Sequence, residues 1–473
     1  MRSIISYISA IVISLVTISC GNSNPGDSGS SDALKITLEV QNAPDMPVYL
    51  GGIYGDQYFN VDSFGIENNK AIITMDEKLP GGMYFLVIPD RSINLQILLD
   101  KDQEFSLKTD VNAPVRSMEV SGSVDNEALY ENLKFELQYQ AEYNQIRQQL
   151  QGIEQSDPQY ERLDEMRKDK VNERKEHLDE ILNKYSNTFF ADFKIAGQNP
   201  DLRDVRTPSG EIDQPRQTYL YINDYWADYN FSDARLLRTP VYGNKLKSYF
   251  DRFMPQNADT IIKYADMVTR KSMVNDSIFK YTANYIGIKY KEPTFMGGDG
   301  IYAHMVLNFF TDDLAFWANE YEIDRLQQDA SIRYSSMIGK KAKDIKLIDL
   351  DGNNISLLEI KSPLIVLYFY SPECENCQKE TPKLKEIYDE WKGRGVEVFA
   401  VTIEPDEEGW RNYVDPTYRD WVNGFDPNNG SAYNFKYHVD VTPEIYVINQ
   451  DRVIVGKDLK AFQLPTIFQR HLD

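Results

Sequence analysis

Two of the three cysteines in this 473-residue chain, Cys374 and Cys377, stand three positions apart in its C-terminal quarter. They follow the apolar run 364–370, which is typical of a buried strand, and they open a segment with helical periodicity. A helix N-terminus concentrates unpaired N–H groups and positive dipole, which stabilise a thiolate at the first cysteine. The second cysteine, one turn further on, can attack a mixed disulfide and release the product. The spacing therefore predicts a redox dithiol.

The elements expected around this dithiol alternate between strand and helix. The helix after Cys377 contains Pro382, which should kink it. A second apolar strand is predicted at 396–403 and a following helix at 407–414. A final hairpin is expected from two apolar runs after residue 444, separated by the turn residues Asn-Gln-Asp. A strand, a helix and a strand followed by a hairpin predict a mixed sheet with a right-handed crossover.

Residues 336–473 resemble the thioredoxin fold, in its TlpA-like branch of membrane-anchored thiol–disulfide oxidoreductases. The resemblance rests on the Cys-Glu-Asn-Cys motif after its strand, on Pro382 five positions beyond the motif, on the extra strand–helix crossover and on Thr442-Pro443 before a strand. Pro443 would then be cis and face the dithiol, and Thr442 would offer backbone groups to an extended substrate. An X–Pro bond adopts the cis form at small cost.

Several residues depart from the thioredoxin pattern. Glu373 precedes the motif where thioredoxins commonly have Trp, and Tyr368 stands where they have a buried Asp. Together with Glu375 and Glu380, Glu373 places negative charge at the site, which should raise the thiol pKa and disfavour a strongly oxidising dithiol. A role as reductant or isomerase of protein disulfides is therefore preferred. Glu404, at the end of the second strand, is a candidate proton relay, although the position favours a surface carboxylate.

The third cysteine, Cys20, belongs to a different kind of signal. A short basic start, the apolar stretch 4–16 and small residues before Cys20 resemble a bacterial lipoprotein signal, whose cleavage leaves an acylated cysteine. We therefore expect a signal peptide over 1–19 and a flexible tether over 20–33, rich in Gly, Ser and Asn. An ordinary signal peptide or a weak anchor helix is the alternative. The expected location is the cell envelope, lipid-anchored and facing the periplasm.

Two further domains are expected between the tether and the thioredoxin-like block. Residues 34–122 alternate apolar and polar side chains between turn signals, which predicts a small antiparallel β-sandwich or meander. Residues 123–335 show helical periodicity and begin with a charged helical hairpin that turns at Ser156-Asp157-Pro158. The predicted fold class is thus multidomain, with a small β domain, a central all-α domain and a C-terminal α/β domain.

Composition and charge exclude several classes of function. The formal charge of −22, without a basic cluster, disfavours nucleic-acid binding. The four histidines are scattered without the spacing of a zinc site, so we expect neither a metal nor a cofactor. The expected partners are protein thiol or disulfide clients, an unknown redox partner and, through the lipid, a membrane.

Two alternative functions compete with the oxidoreductase. A peroxiredoxin-like peroxidase requires the motif Pro-x-x-x-Thr-x-x-Cys. Ser371 fits the Thr position before Cys374, but Leu367 occupies the Pro position, which disfavours this function. In the second alternative, the β and helical domains act as a binding or scaffold module, and the thioredoxin-like domain is regulatory or vestigial. The retained cysteine pair argues against that hypothesis.

Overall fold

The computed structural model describes residues 33–43, 45–88, 93–426 and 430–472. The apolar stretch 4–16 and Cys20 lie outside these residues, so the lipoprotein signal stays a prediction. Among the helices that fall within the described ranges, none is long and apolar enough to cross a membrane.

Eight strands form two four-stranded sheets at the N-terminal end of the described chain. They are β1 (Leu34–Gln41), β2 (Met46–Tyr54), β3 (Gln57–Ile66), β4 (Lys70–Met75), β5 (Gly82–Ile88), β6 (Ile93–Leu99), β7 (Glu104–Asp110) and β8 (Glu119–Ser121). One sheet has the order β4-β1-β7-β8 and the other β3-β2-β5-β6. The alternating burial of β1 places its apolar side chains in the core, as the sequence pattern indicates.

Strand pairing in these sheets is antiparallel with one exception, the parallel pair β1 and β7. After β4 the chain crosses to the other sheet for β5 and β6 and returns beside β1 from the opposite side. Local alternation does not reveal such a long-range crossover. The turn between β3 and β4 has Asn68 and Asn69 at φ of 52° and 64°, as a two-residue hairpin loop requires.

Nine α-helices lie between the sandwich and residue 336, a stretch that the structure describes throughout. They are α1 (Val124–Gln151), α2 (Pro158–Lys184), α3 (Phe189–Ala196), α4 (Gln214–Asp224), α5 (Pro240–Ser248), α6 (Ala258–Ser272), α7 (Asp276–Lys291), α8 (Asp299–Phe309) and α9 (Glu320–Ser335). The predicted break between the first two is confirmed, because Asp157 caps α2 and Pro158 occupies its first turn.

The β-sandwich and the helices share one continuous apolar core, which runs from Leu34 in β1 to Ala330 in α9. Asn126, at the start of α1, joins the two layers by hydrogen bonds with the backbone. Its side-chain oxygen accepts from the Leu98 N–H at 2.8 Å, and its amide nitrogen donates to the Leu98 carbonyl at 2.8 Å. These bonds continue the backbone pairing of β6, so α1 is fixed to the sheet at its first turn.

The C-terminal part is an α/β unit around a five-stranded mixed sheet of order β13-β12-β11-β14-β15. A separate hairpin, β9 and β10, precedes that sheet. The elements are β9 (Lys346–Ile348), β10 (Asn354–Ser356), β11 (Leu364–Tyr370), α10 (Glu375–Trp391), β12 (Val396–Thr402), α11 (Glu407–Val414), β13 (Val422–Gly424), α12 (Tyr433–Lys436), β14 (Glu444–Asn449), β15 (Ile454–Gly456) and α13 (Leu464–Leu472).

Central position explains the composition of β11. It pairs in parallel with β12 and antiparallel with β14, and all seven of its residues are buried. Its side chains pack in two hydrophobic clusters, one on each face of the sheet. The predicted fold class, with a β domain, a helical domain and a thioredoxin-like α/β domain, is confirmed.

Candidate active site

Cys374 and Cys377 lie together at the N-terminus of α10, where the chain leaves the buried strand β11. Cys374 is the N-cap residue, and its sulfur accepts a hydrogen bond from the Cys377 backbone N–H at 3.4 Å. Both cysteines are free thiols. Cys374 is partly exposed, whereas Cys377 is fully buried among the residues that pack under the helix. The pair therefore presents one accessible sulfur and one protected sulfur.

Thr442 and Pro443 face the dithiol from the start of β14. The peptide bond between them is cis, as the resemblance implied. The Cys374 thiol donates to the Thr442 carbonyl at 3.3 Å, and the Thr442 side chain acts to lower the pKa of both thiols. Pro443 is buried behind this contact. The fold thus brings Thr442 into contact with the sulfur of Cys374, which lies 68 positions earlier in the chain.

The two thiols have pKa values shifted in opposite directions. Partial burial opposes ionisation of Cys374, but hydrogen bonds from the Cys377 thiol, from Thr442 and from the backbone N–H groups of Asn376 and Cys377 lower its pKa below the usual 9.0. Burial raises the pKa of Cys377 to about 11, and the neighbouring Cys374 adds to the increase. Cys374 is therefore the sulfur that ionises first.

The expectation that nearby glutamates raise the thiol pKa was wrong for Cys374. Glu375 forms an exposed ion pair with Lys379 at 2.5 Å, and Glu380 pairs with Lys383 at 2.7 Å while accepting the Ala461 N–H at 3.1 Å. Their charges are thus largely compensated. Donors within hydrogen-bond distance of the Cys374 sulfur act at a much shorter range than these screened carboxylates.

This compensation changes what glutamate substitution should do. We expect the change Glu375→Gln, which removes a carboxylate already paired with Lys379, to move the reduction potential of the dithiol by less than about 10 mV. For this couple about 30 mV corresponds to 1.4 kcal/mol. Equilibration with glutathione buffers, read by an alkylation mass shift, measures the potential. A shift of several tens of millivolts toward a more oxidising value would instead restore a direct electrostatic role for this carboxylate.

A hydroxyl network lies beneath Cys377. The Tyr368 and Thr381 hydroxyls are 2.8 Å apart, and Thr381 donates to the Cys377 carbonyl at 2.7 Å. Tyr368 stacks on Tyr370 with ring centroids 5.3 Å apart. Thr381 was not singled out from the sequence; its only signal is that it follows Cys377 by four positions and so shares its helix face. Where thioredoxins place a carboxylate, this chain has a neutral network whose tyrosine is kept protonated by burial, which raises the pKa of Tyr368.

Glu404, the candidate proton relay, follows the end of β12 and contacts the site through Ser371. The Ser371 hydroxyl donates to the Glu404 carboxylate at 2.6 Å, and the Ser371 backbone N–H is directed at the Cys377 sulfur. In this geometry Glu404 orients the loop before the dithiol and reaches Cys377 only through Ser371.

Metal chemistry has no support in the part of the chain that the structure describes. Within those residues, no group of three or more His, Cys, Asp or Glu side chains is arranged to hold a metal ion. The chemistry available at the site is that of the two sulfurs.

Two family models match separate parts of the chain. Residues 338–457 match the model of the AhpC/TSA family, and residues 34–129 match a domain of unknown function, DUF4369. A solved structure of a thioredoxin-like protein from Bacteroides caccae is 18% identical and covers 58% of this chain and all of its own, with a TM-score of 0.47.

Curated relatives match the C-terminal part of the chain. Thiol-disulfide oxidoreductase ResA of Bacillus cereus is 30% identical over 120 residues, which are 25% of this chain and 68% of the relative. The protein of the same name from Bacillus thuringiensis is 29% identical over 118 residues, 25% of this chain and 67% of its own. With the dithiol at a helix N-terminus and this likeness to ResA, the chain belongs to the thiol–disulfide oxidoreductases of the thioredoxin-like AhpC/TSA family.

Proposed function

We propose that Cys374 and Cys377 are the catalytic dithiol with which this enzyme reduces or isomerises disulfides of proteins in the cell envelope. One observation carries the proposal: an accessible sulfur with a lowered pKa stands beside a buried sulfur at the same helix N-terminus. The first is suited to attack and the second to resolution.

In the proposed reaction, the Cys374 thiolate attacks one sulfur of a client disulfide. A Cys374–client disulfide forms, the client disulfide breaks, and the second client sulfur leaves as a thiolate that takes up a proton. Cys377 then loses its proton and attacks Cys374, which releases the first client sulfur. The client disulfide gains two electrons and the enzyme pair becomes a disulfide, so a separate thiol reductant must restore it. An isomerase cycle ends instead when the client re-forms a different disulfide and releases Cys374.

Thr442 and Pro443 are the proposed substrate-binding residues. Because the Thr442 carbonyl lies 3.3 Å from the Cys374 sulfur, an extended client segment that pairs with this backbone would bring its own cysteine to Cys374. Glu404 is proposed as an indirect proton relay when Cys377 ionises: the Ser371 hydroxyl, which donates to the Glu404 carboxylate, would pass its proton to Glu404 and take up the proton that Cys377 loses.

The argument from nearby glutamates no longer favours reduction and isomerisation over strong oxidation, and the lowered pKa of Cys374, which stabilises the reduced form of the pair, acts in the oxidising direction. The proposed direction rests instead on the reactivity of the reduced pair toward client disulfides. A lowered pKa gives Cys374 a larger thiolate fraction near neutral pH, and the thiolate is the species that attacks a client disulfide. Single-turnover mixing of the pre-reduced full chain with a disulfide-bonded peptide tests this proposal. Release of two peptide thiols for each enzyme pair oxidised is expected, and release of none would refute it.

Membrane anchoring is the second part of the proposal. Cys20 would carry the lipid after removal of residues 1–19, and residues 20–33 would act as the tether between membrane and enzyme. The oxidoreductase would then face the periplasm, where its partners are disulfide-containing clients and a reductant.

Replacing the lipidated residue should release the protein. With Cys20→Ala, we expect loss of acyl labelling and transfer of most of the chain from the membrane fraction to the soluble fraction, because each buried methylene of an acyl chain contributes about 0.8 kcal/mol to binding. Fractionation after labelling with a fatty-acid probe measures both effects. Cys374→Ala is the matched control and should keep the label. If the Cys20→Ala protein stays labelled and membrane-bound, the anchor is elsewhere.

A further inference from the structure

The segment that presents Thr442 to the dithiol, residues 438–444 (the proline segment), contacts the helical domain directly at its first end and, through Lys457 and Asp458, indirectly at its last end. This arrangement is unexpected for a loop whose partner, Cys374, belongs to the α/β unit. The contacts at its two ends involve different helices, α9 and α8.

At the first end, charged side chains of α9 form ion pairs with side chains of the proline segment. The imidazole of His438 lies 2.8 Å from the Asp440 carboxylate and 3.5 Å from that of Asp329. Arg333 lies 3.1 Å from Asp329 and 3.8 Å from Asp440, and it also donates to the Lys291 carbonyl at 2.9 Å. With only 4% of its side chain exposed, Arg333 is fixed in place.

At the second end, α8 contributes a buried ion pair. Asp299 lies 2.5 Å from Lys457, and their side chains are 3% and 1% exposed. Glu444 is buried beside them, and its carboxylate accepts the Asp458 N–H at 3.1 Å. Burial raises the pKa of Glu444, with Asp458 adding to the increase and Lys457 opposing it. The last residue of the proline segment is thereby enclosed by groups tied to the helical domain.

We infer that α8 and α9 are positioning elements of the redox site, with Arg333 and Asp299 as positioning residues that hold the proline segment against Cys374. Neither residue touches the sulfurs. Arg333 acts through the side chain of Asp440, and Asp299 acts through Lys457, which lies beside Glu444. This inference rests on the proposed role of Cys374, and it assigns the helical domain a part in the chemistry.

A loosened proline segment would withdraw Thr442 from the Cys374 sulfur. Thr442 is one of the groups that lower the pKa of Cys374, so its withdrawal should raise that pKa and reduce the thiolate fraction at neutral pH. Since one pKa unit corresponds to about tenfold in thiolate fraction below the pKa, an alkylation rate reports the change sensitively.

The test compares Arg333→Gln with Arg235→Gln in the full chain. Arg235 is the matched control, because it also joins several carboxylates, those of Asp100, Asp192 and Asp233, but at the junction of sandwich and helices. Alkylation of Cys374 is followed from pH 5 to pH 10 by peptide mass spectrometry. For Arg333→Gln we expect a midpoint shifted to higher pH and a rate at pH 7 about three- to tenfold lower. Arg333→Lys, which keeps the charge, should recover much of the rate.

Arg235→Gln should leave the pH profile within about twofold of wild type. The double variant Asp299→Asn with Lys457→Met, which removes both charges of the buried pair, should slow alkylation as Arg333→Gln does. It decides the matter if Arg333→Gln does not fold. Wild-type profiles in the folded Arg333→Gln and double variants would overturn the inference. Failure of wild-type Cys374 to react first would instead refute the proposed function.

Discussion

The full chain carrying Cys377→Ser is expected to accumulate a mixed disulfide between Cys374 and its clients. Removal of the second sulfur leaves the first attack intact, because Cys374 keeps its position as N-cap residue of α10, but the adduct cannot be resolved. In single-turnover mixing with a disulfide-bonded peptide, we expect most of the enzyme to carry the peptide, against a few per cent or less for wild type. Non-reducing gels and mass spectrometry measure the adduct.

Cys374→Ser is the matched control for the trapping experiment. It removes the accessible sulfur and keeps the buried one, so no adduct should form above background. An adduct of equal yield in Cys374→Ser would assign the attack to Cys377. An absence of adduct in both variants would favour the hypothesis in which the cysteine pair is vestigial.

Reduced wild-type protein should be alkylated at Cys374 well before Cys377. Their pKa values, one below the usual 9.0 and one about 11, give Cys374 a thiolate fraction at least about 100-fold larger near pH 7. The greater nucleophilicity of the more basic thiolate recovers roughly tenfold of this, so a rate ratio of at least about ten is expected, and burial of Cys377 increases it further. Iodoacetamide pulses analysed by peptide mass spectrometry give the ratio.

The pH dependence of these rates has a defined sign. Because only the thiolate reacts, the Cys374 rate should rise with pH and level off above its lowered pKa, while the Cys377 rate should continue to rise to about pH 11. Denatured protein is the control, in which the two rates should converge. Faster labelling of Cys377 in the folded protein would reverse the proposed roles.

Local signals account for the features that could be predicted from the sequence. The buried strand 364–370, the dithiol and the helix that follows are contiguous, so periodicity and cysteine spacing were enough to place Cys374 and Cys377 at a helix N-terminus. The helix break at Asp157-Pro158 and the hairpin turn at Asn68-Asn69 likewise depend on the conformational preferences of a few adjacent residues.

Contacts between distant segments explain what could not be predicted. The expected effect of Glu375 on the thiol pKa failed because its lysine partner and the donors around Cys374 are known only from the folded structure. The parallel pairing of β1 with β7 depends on a crossover between sheets. The buried pair Asp299–Lys457 joins residues 158 positions apart. In the sequence, Asp299 stands in a glycine-rich stretch that resembles a linker.

The central claim, that Cys374 and Cys377 form a redox couple, is tested most directly by equilibrating the full chain with glutathione buffers and counting unmodified thiols by alkylation mass shift. The predicted result is reversible conversion between dithiol and disulfide along a two-electron curve, with a midpoint clearly more reducing than about −120 mV, the value of a strong oxidant. A midpoint near that value would contradict the reductase or isomerase assignment. Cysteines that stay reduced in every buffer would contradict the redox couple itself.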